Sequence, residues 1–241
     1  MNAARQIYDR LWHAAIYRFG RGEPQTDPHL ADRAGDGRRS VTLALRPEPE
    51  VQMTVNRFLR QLAMSAPGQY FYRPDELHVT VLAVIPGSAA WREKIRDLAA
   101  IQAVIGKILE RRRPFVISFR GITASPDAVM IQGFPKSEAL AEIRDELREV
   151  LRKNHLGGDT DRRYKINTAH ITVMRFGTVR ADWKAFVDLL KANRQTDFGE
   201  TRVRKLQLLW SDWYASAQSV RTIQEYPLKG QAPTPFRNTA T

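Results

Sequence analysis

Leu77-His78-Val79-Thr80-Val81 and Ala169-His170-Ile171-Thr172-Val173 are near copies of one short pattern. In a β-strand alternate side chains share a face, so each His and its Thr point one way while the apolar neighbours point into a core. Each segment therefore predicts a strand that offers an imidazole beside a hydroxyl. With 15 threonines and five histidines in 241 residues, chance supplies about 0.3 His-x-Thr triplets. Two copies, both with apolar flanks, are far outside that expectation. The other histidines, His13, His29 and His155, have no Thr two residues on.

Two imidazoles and two hydroxyls suit displacement at phosphorus. A base must deprotonate the attacking oxygen, an acid must protonate the leaving oxygen, and His titrates in the range that allows both. Thr hydroxyls can hold the non-bridging oxygens. The competing chemistry is a zinc site, for which Asp75 and Glu76 lie close to His78; yet neither motif carries an acidic residue, so the ligand set is incomplete. No metal and no cofactor are expected.

Outward from the two motifs, the pattern alternates between periods of two and about 3.6 residues. Strands are predicted at 41–45, in two short runs within 70–85 joined by Arg73-Pro74-Asp75, at 115–119, 129–132, 169–176, 203–210 and 220–228. Helices are predicted at 50–64, as one long stretch over 91–113, from Ser137 to a stop at Gly157-Gly158, and at 182–191. This is an α+β pattern with helices interleaved among antiparallel strands. Tyr8, Trp12, Ala15, Ile16 and Phe19 form the stripe of an additional N-terminal helix, expected to dock on the protein body rather than on a membrane surface. A Gly-, Pro-, Asp- and Arg-rich connector follows. The expected organisation is a helix and connector over 1–39, a main domain over 40–228 and a tail over 229–241.

The chain has no cysteine, which removes thiol nucleophiles, iron–sulfur clusters and disulfides. It carries 38 Lys and Arg against 26 Asp and Glu, a formal charge of +12 that favours polyanionic partners. No apolar run is long enough to span a membrane and no secretory signal opens the chain, so a cytoplasmic protein without membrane attachment is expected. Among the basic clusters, Arg162-Arg163 with Lys165 leads directly into the His170 strand. Tyr72 and Tyr164, which precede the two motifs, are the first candidates for stacking on a base, with Trp213-Tyr214 in the last hairpin turn a further one.

The paired His-Val-Thr and His-Ile-Thr motifs, 92 positions apart from 78 to 170, resemble the two-histidine (2H) phosphoesterase superfamily, which includes RNA 2′,3′-cyclic phosphodiesterases and the so-called 2′,5′-RNA ligases. The resemblance covers about Ser40 to Leu228, and Leu206–Ser211 with Val220–Leu228 is similar to the family's closing hairpin. It implies a two-lobed α+β fold, with antiparallel sheets and outer helices around a central cleft. It further implies His78 and His170 as catalytic, Thr80 and Thr172 as phosphate-binding, and metal-independent opening of a cyclic phosphate on an RNA end or a small nucleotide. Tyr72, Arg163, Tyr164 and Lys165 are the further candidates for binding substrate, and a monomer is expected. The same site could serve 2′,5′-linked or cyclic oligonucleotides or RNA-end ligation, and a basic RNA-binding module without catalysis is the rival from another class. Residues 1–39 depart from a minimal member of the family.

Overall fold

The computed structural model describes residues 3–157, 160–161, 165–179 and 183–229. Nine strands are found among them: β1 (Arg39–Leu45), β2 (Tyr70–Phe71), β3 (Val79–Ser88), β4 (Phe115–Ser125), β5 (Ala128–Pro135), β6 (Ile171–Arg175), β7 (Asp197–Val203), β8 (Lys205–Asp212) and β9 (Arg221–Pro227). They form one antiparallel sheet in the order β7-β4-β5-β6-β3-β1-β8-β9, with β2 pairing β6 off this path. The helices are α1 (Ala3–Gly20), α2 (Pro49–Ser65), α3 (Trp91–Lys94), α4 (Leu98–Leu109), α5 (Ala139–Lys153) and α6 (Lys184–Ala192).

Read outward from its centre, the sheet has two matching halves, β3-β1-β8-β9 and β6-β5-β4-β7. The two lobes are thus continuous, joined where the motif strands meet. Their helices are exchanged. The helix between β1 and β3, α2, packs on β7, β6 and α6, while the helix between β5 and β6, α5, packs on β3 and α4. The sequence dictates these faces: Val51, Val55, Phe58, Leu59 and Leu62 of α2 and Leu140, Ile143, Leu147 and Leu151 of α5 recur at three- and four-residue spacing and are buried. Pro49 starts α2 at the position where a missing N–H costs nothing.

Several predicted boundaries change. The stretch over 91–113 is interrupted at 95–97 by a 3₁₀ turn, because α3 packs on β3, with Trp91 against Trp210, whereas α4 packs on α5 and β9. Strand β7 is absent from the sequence reading, since Gly199 at φ +94 and the accompanying register shift interrupt its alternation. The two runs predicted within 70–85 are β2 and β3, and β2 pairs β6. Helix α5 stops before Gly157: His155 takes a left-handed φ of 56°, and the amides of His155 and Leu156 close onto the carbonyls of Arg152 and Leu151. Arg163, Tyr164 and the tail beyond Lys229 lie outside the described residues.

Helix α1 docks on the protein, burying Tyr8, Ala15 and Phe19. Phe19 enters an aromatic cluster with Phe176, Trp183 and Phe186. Among the described residues no helix is long and apolar enough to cross a membrane.

Candidate active site

The motif strands meet through one pair among the described residues, Val79 opposite Ile171. Continuing that antiparallel register by one residue sets His78 across from Thr172 and Thr80 across from His170. All four side chains line a single cavity of about 660 Å³ at the centre of the sheet. The strands part after one pair for two reasons. On one side, β2 occupies the edge of β6 at Met174 and Arg175. On the other, the buried guanidinium of Arg144 fills the gap, donating to the carbonyls of Thr80 (2.8 Å), Val81 (2.9 Å) and Thr168 (2.9 Å).

The imidazoles are held from behind. Nδ1 of His78 donates to the Glu76 carbonyl at 2.8 Å, because a carbonyl can only accept. This leaves Nε2 as the nitrogen for the cavity. Nδ1 of His170 lies 2.9 Å from the Thr168 hydroxyl. Burial holds both rings well below the ordinary histidine range, to about 4, and the Arg175 charge acts on each in the same direction; Arg144 adds to the effect at His170. The two rings are close enough for His78 to oppose a charge on His170. The hydroxyls of Thr80 and Thr172 are engaged by no other described residue, so both are available to a ligand.

Tyr72 lies at the base of the cavity, buried, with its hydroxyl accepting from Arg175 Nε at 3.0 Å. Arg175 also pairs with Asp127 at 3.1 Å, and both line the cavity. Lys165 lines it too, exposed at the rim and 3.8 Å from Asp145. Other basic residues serve the scaffold. Arg111 and Arg112 tie the end of α4 to Glu146 and Glu142 of α5, Arg204 pairs with Glu48, and Lys205 pairs with Glu225.

The acidic neighbours of the first motif are committed elsewhere. Glu76 is buried and accepts from the Arg73 amide, the Tyr70 hydroxyl and the Ala217 amide. Asp75 is exposed and pairs with Arg73. Among the described residues no three His, Cys, Asp or Glu side chains gather as a metal site.

The sequence reading left the N-terminal segment out of the site, and the structure brings it in. Met130 stands opposite Thr172 and Thr123 opposite Met130, so these three share the cleft face, and Thr123 donates to the Tyr8 carbonyl of α1 at 2.8 Å. Helix α1 thus crosses the cleft face over β4 and β5, and its Ile7 and Leu11 join the cavity wall with Gln25 of the connector. The connector also braces the opposite wall. Arg38, paired with Asp36, lies over the ring of Trp213 at 4.5 Å, and Asp27 accepts from Tyr214 at 2.9 Å. Trp213 lines the cavity above Gly87, where a Cβ would lie 2.4 Å from the indole.

A family model described as the 2′-5′ RNA ligase superfamily matches residues 35–214. The chain belongs to this superfamily. The match begins just before β1 and leaves α1 outside it. Within the superfamily, the chain is 22% identical over 184 residues to a protein of Aquifex aeolicus named RNA 2′,3′-cyclic phosphodiesterase, a match covering 75% of this chain and 92% of that one. Among solved structures, TT0787 of Thermus thermophilus aligns with a TM-score of 0.58 at 17% identity, covering 81% of this chain and 100% of the other. LigT of Escherichia coli complexed with 3′-AMP aligns with a TM-score of 0.51 at 14% identity, covering 80% and 98%. These likenesses establish the α+β superfamily fold, built here as one curled antiparallel sheet with packed helices.

Proposed function

We propose that this member of the superfamily is a metal-independent phosphodiesterase that opens a 2′,3′-cyclic phosphate on an RNA end or a small nucleotide. The observation that carries the reading is the convergence of His78, Thr80, His170 and Thr172 on one cavity where the motif strands meet, with both Thr hydroxyls unengaged by the described residues. The name of the Aquifex aeolicus relative supports the same reaction class.

One imidazole takes a proton from water through Nε2 as the water oxygen bonds to phosphorus. The other, protonated, gives its proton to the ribose oxygen as the bond from phosphorus to that oxygen breaks. The product is a ribose monophosphate with one free hydroxyl, and the two imidazoles have exchanged protonation states. Thr80 and Thr172 hold the non-bridging oxygens, a charge-assisted contact that strengthens as negative charge gathers on them. No step requires a Lewis acid. The +12 charge of the chain, with Lys165 and Arg175 at the cavity, favours an anionic substrate.

The test is turnover of a 2′,3′-cyclic nucleotide by the full chain in excess EDTA. Hydrolysis to the monophosphate is expected, abolished by His78→Ala and by His170→Ala. Absence of turnover, or activity lost to EDTA and restored by zinc or manganese, rejects the reading.

A further inference from the structure

Tyr8 is a tyrosine on a helix that lies before the region matched by the superfamily model, yet its side chain is fully buried beside the second motif. A phenol in such a place keeps its proton, and burial pushes this one up to about 12. A buried hydroxyl must find partners. The Tyr8 oxygen lies 3.2 Å from both the amide and the carbonyl of Gly133, and the Thr168 hydroxyl and the Ala169 backbone are near enough to act on its charge. Glycine is required there, because a Cβ at 133 would sit 1.9 Å from the Ala169 carbonyl oxygen.

The donor and acceptor inventory then gives a direction to the whole chain of contacts. The Gly133 carbonyl can only accept, so the Tyr8 hydroxyl donates to it and spends its one proton. Towards Thr168 the phenol oxygen can then only accept, so a hydrogen bond between the two hydroxyls runs from Thr168 to Tyr8. The Thr168 oxygen is left to accept from Nδ1 of His170, 2.9 Å away. We infer that Tyr8 is a positioning residue of the active site, fixing His170 with its proton on Nδ1 through the Thr168 hydroxyl. The Glu76 carbonyl does the same for His78 in one step. Both rings therefore turn Nε2 to the cavity, as an acid and a base acting on one phosphorus require. In this chain the N-terminal helix is part of the catalytic apparatus. The inference rests on the acid–base reading of His170 given above.

The test is the tautomer of each neutral histidine, read from side-chain ¹⁵N shifts of the full chain at neutral pH, beside steady-state kinetics on a 2′,3′-cyclic nucleotide. In the native protein both His78 and His170 should carry the proton on Nδ1. In Tyr8→Phe the Thr168 hydroxyl loses its acceptor and turns to donate to His170. The proton of that ring should move to Nε2 while His78 stays unchanged. Thr168→Val removes the link itself and should release the tautomer preference of His170 alone. For Tyr8→Phe, kcat should fall about tenfold to a hundredfold, the size of loss seen when metal-bound histidines lose an outer partner, with KM little altered. The unchanged His78 signal reports an intact fold in either variant. A native His170 protonated on Nε2, or one that keeps Nδ1–H in both variants, overturns the inference. If the tautomers shift as described but the native protein turns over no cyclic nucleotide, the proposed reaction is rejected and the positioning role of Tyr8 stands.

Discussion

Val79 and Ile171 form the one ladder pair that joins the two halves of the sheet among the described residues. A single pair is a weak seam, and the Arg144 guanidinium reinforces it by holding the backbone of both motif segments at once. Arg144→Met would leave the carbonyls of Thr80, Val81 and Thr168 buried without these donors, at about 1 to 3 kcal/mol for each group left unpaired, partly offset by removal of a buried charge. A loss of about 2 to 5 kcal/mol is expected in chemical denaturation. Arg144→Lys, with one ammonium in place of a planar fork, should not recover it. Stability equal to the native protein in either variant would show that the seam holds without the clamp.

The histidines make stability depend on pH with a definite sign. Each ring is held at about 4 in the folded protein against about 6.5 when unfolded. Between these values the unfolded chain binds more protons, so stability falls as pH drops from about 6.5 to 4 and levels off below that. His78→Gln and His170→Gln should each flatten this part of the profile. Binding an anionic nucleotide favours the charged ring, so calorimetry at pH 6 to 7 in buffers of different ionisation enthalpy should detect proton uptake. Binding without uptake would mean that the acid is already charged in the free protein.

The Thr80 and Thr172 hydroxyls have no described partner to lose. Thr80→Val and Thr172→Val should therefore leave the melting temperature nearly unchanged while slowing turnover about tenfold to a hundredfold, the worth of one charge-assisted hydrogen bond. Unaltered kinetics with a lowered melting temperature would make the hydroxyls structural.

Trp213 is expected to stack on the nucleotide base. Trp213→Ala should weaken binding of a nucleoside 3′-monophosphate by about 1 to 3 kcal/mol and leave inorganic phosphate binding unchanged. Gly87→Ala, which would push the indole from its seat, should weaken the nucleotide in the same sense. Equal losses for nucleotide and phosphate would show that the ring does not contact the base.

What could be read from the chain follows the range of the interactions involved. His78, Thr80, His170 and Thr172 declare themselves because a strand writes its two faces into alternate residues. Helices α2 and α5 do so through spacing that the helical period fixes. Strand β7 escapes because Gly199 breaks the alternation, and the stop of α5 is displaced because His155, although not a glycine, takes the positive φ that closes the helix before Gly157 can. Tyr8 escapes for a different reason. Its hydroxyl is held at Gly133, more than a hundred residues on, and no local pattern encodes a contact of that span. The sequence likewise assigns Glu76 to a possible ligand set, whereas its carboxylate pins the turn before His78 and the loop at Ala217.

The exchange of helices between the halves also bears on how the chain must be made. During synthesis α2 emerges long before β6, β7 and α6, against which Val51, Val55, Phe58, Leu59 and Leu62 are eventually covered. Until then its apolar stripe has no permanent partner, and the nascent chain carries an exposed, aggregation-prone surface. Neither half can bury its own helix, so a chain released after β5 would hold half of the ladder and the wrong cover for it. Two separately produced fragments should then gain native structure only when mixed.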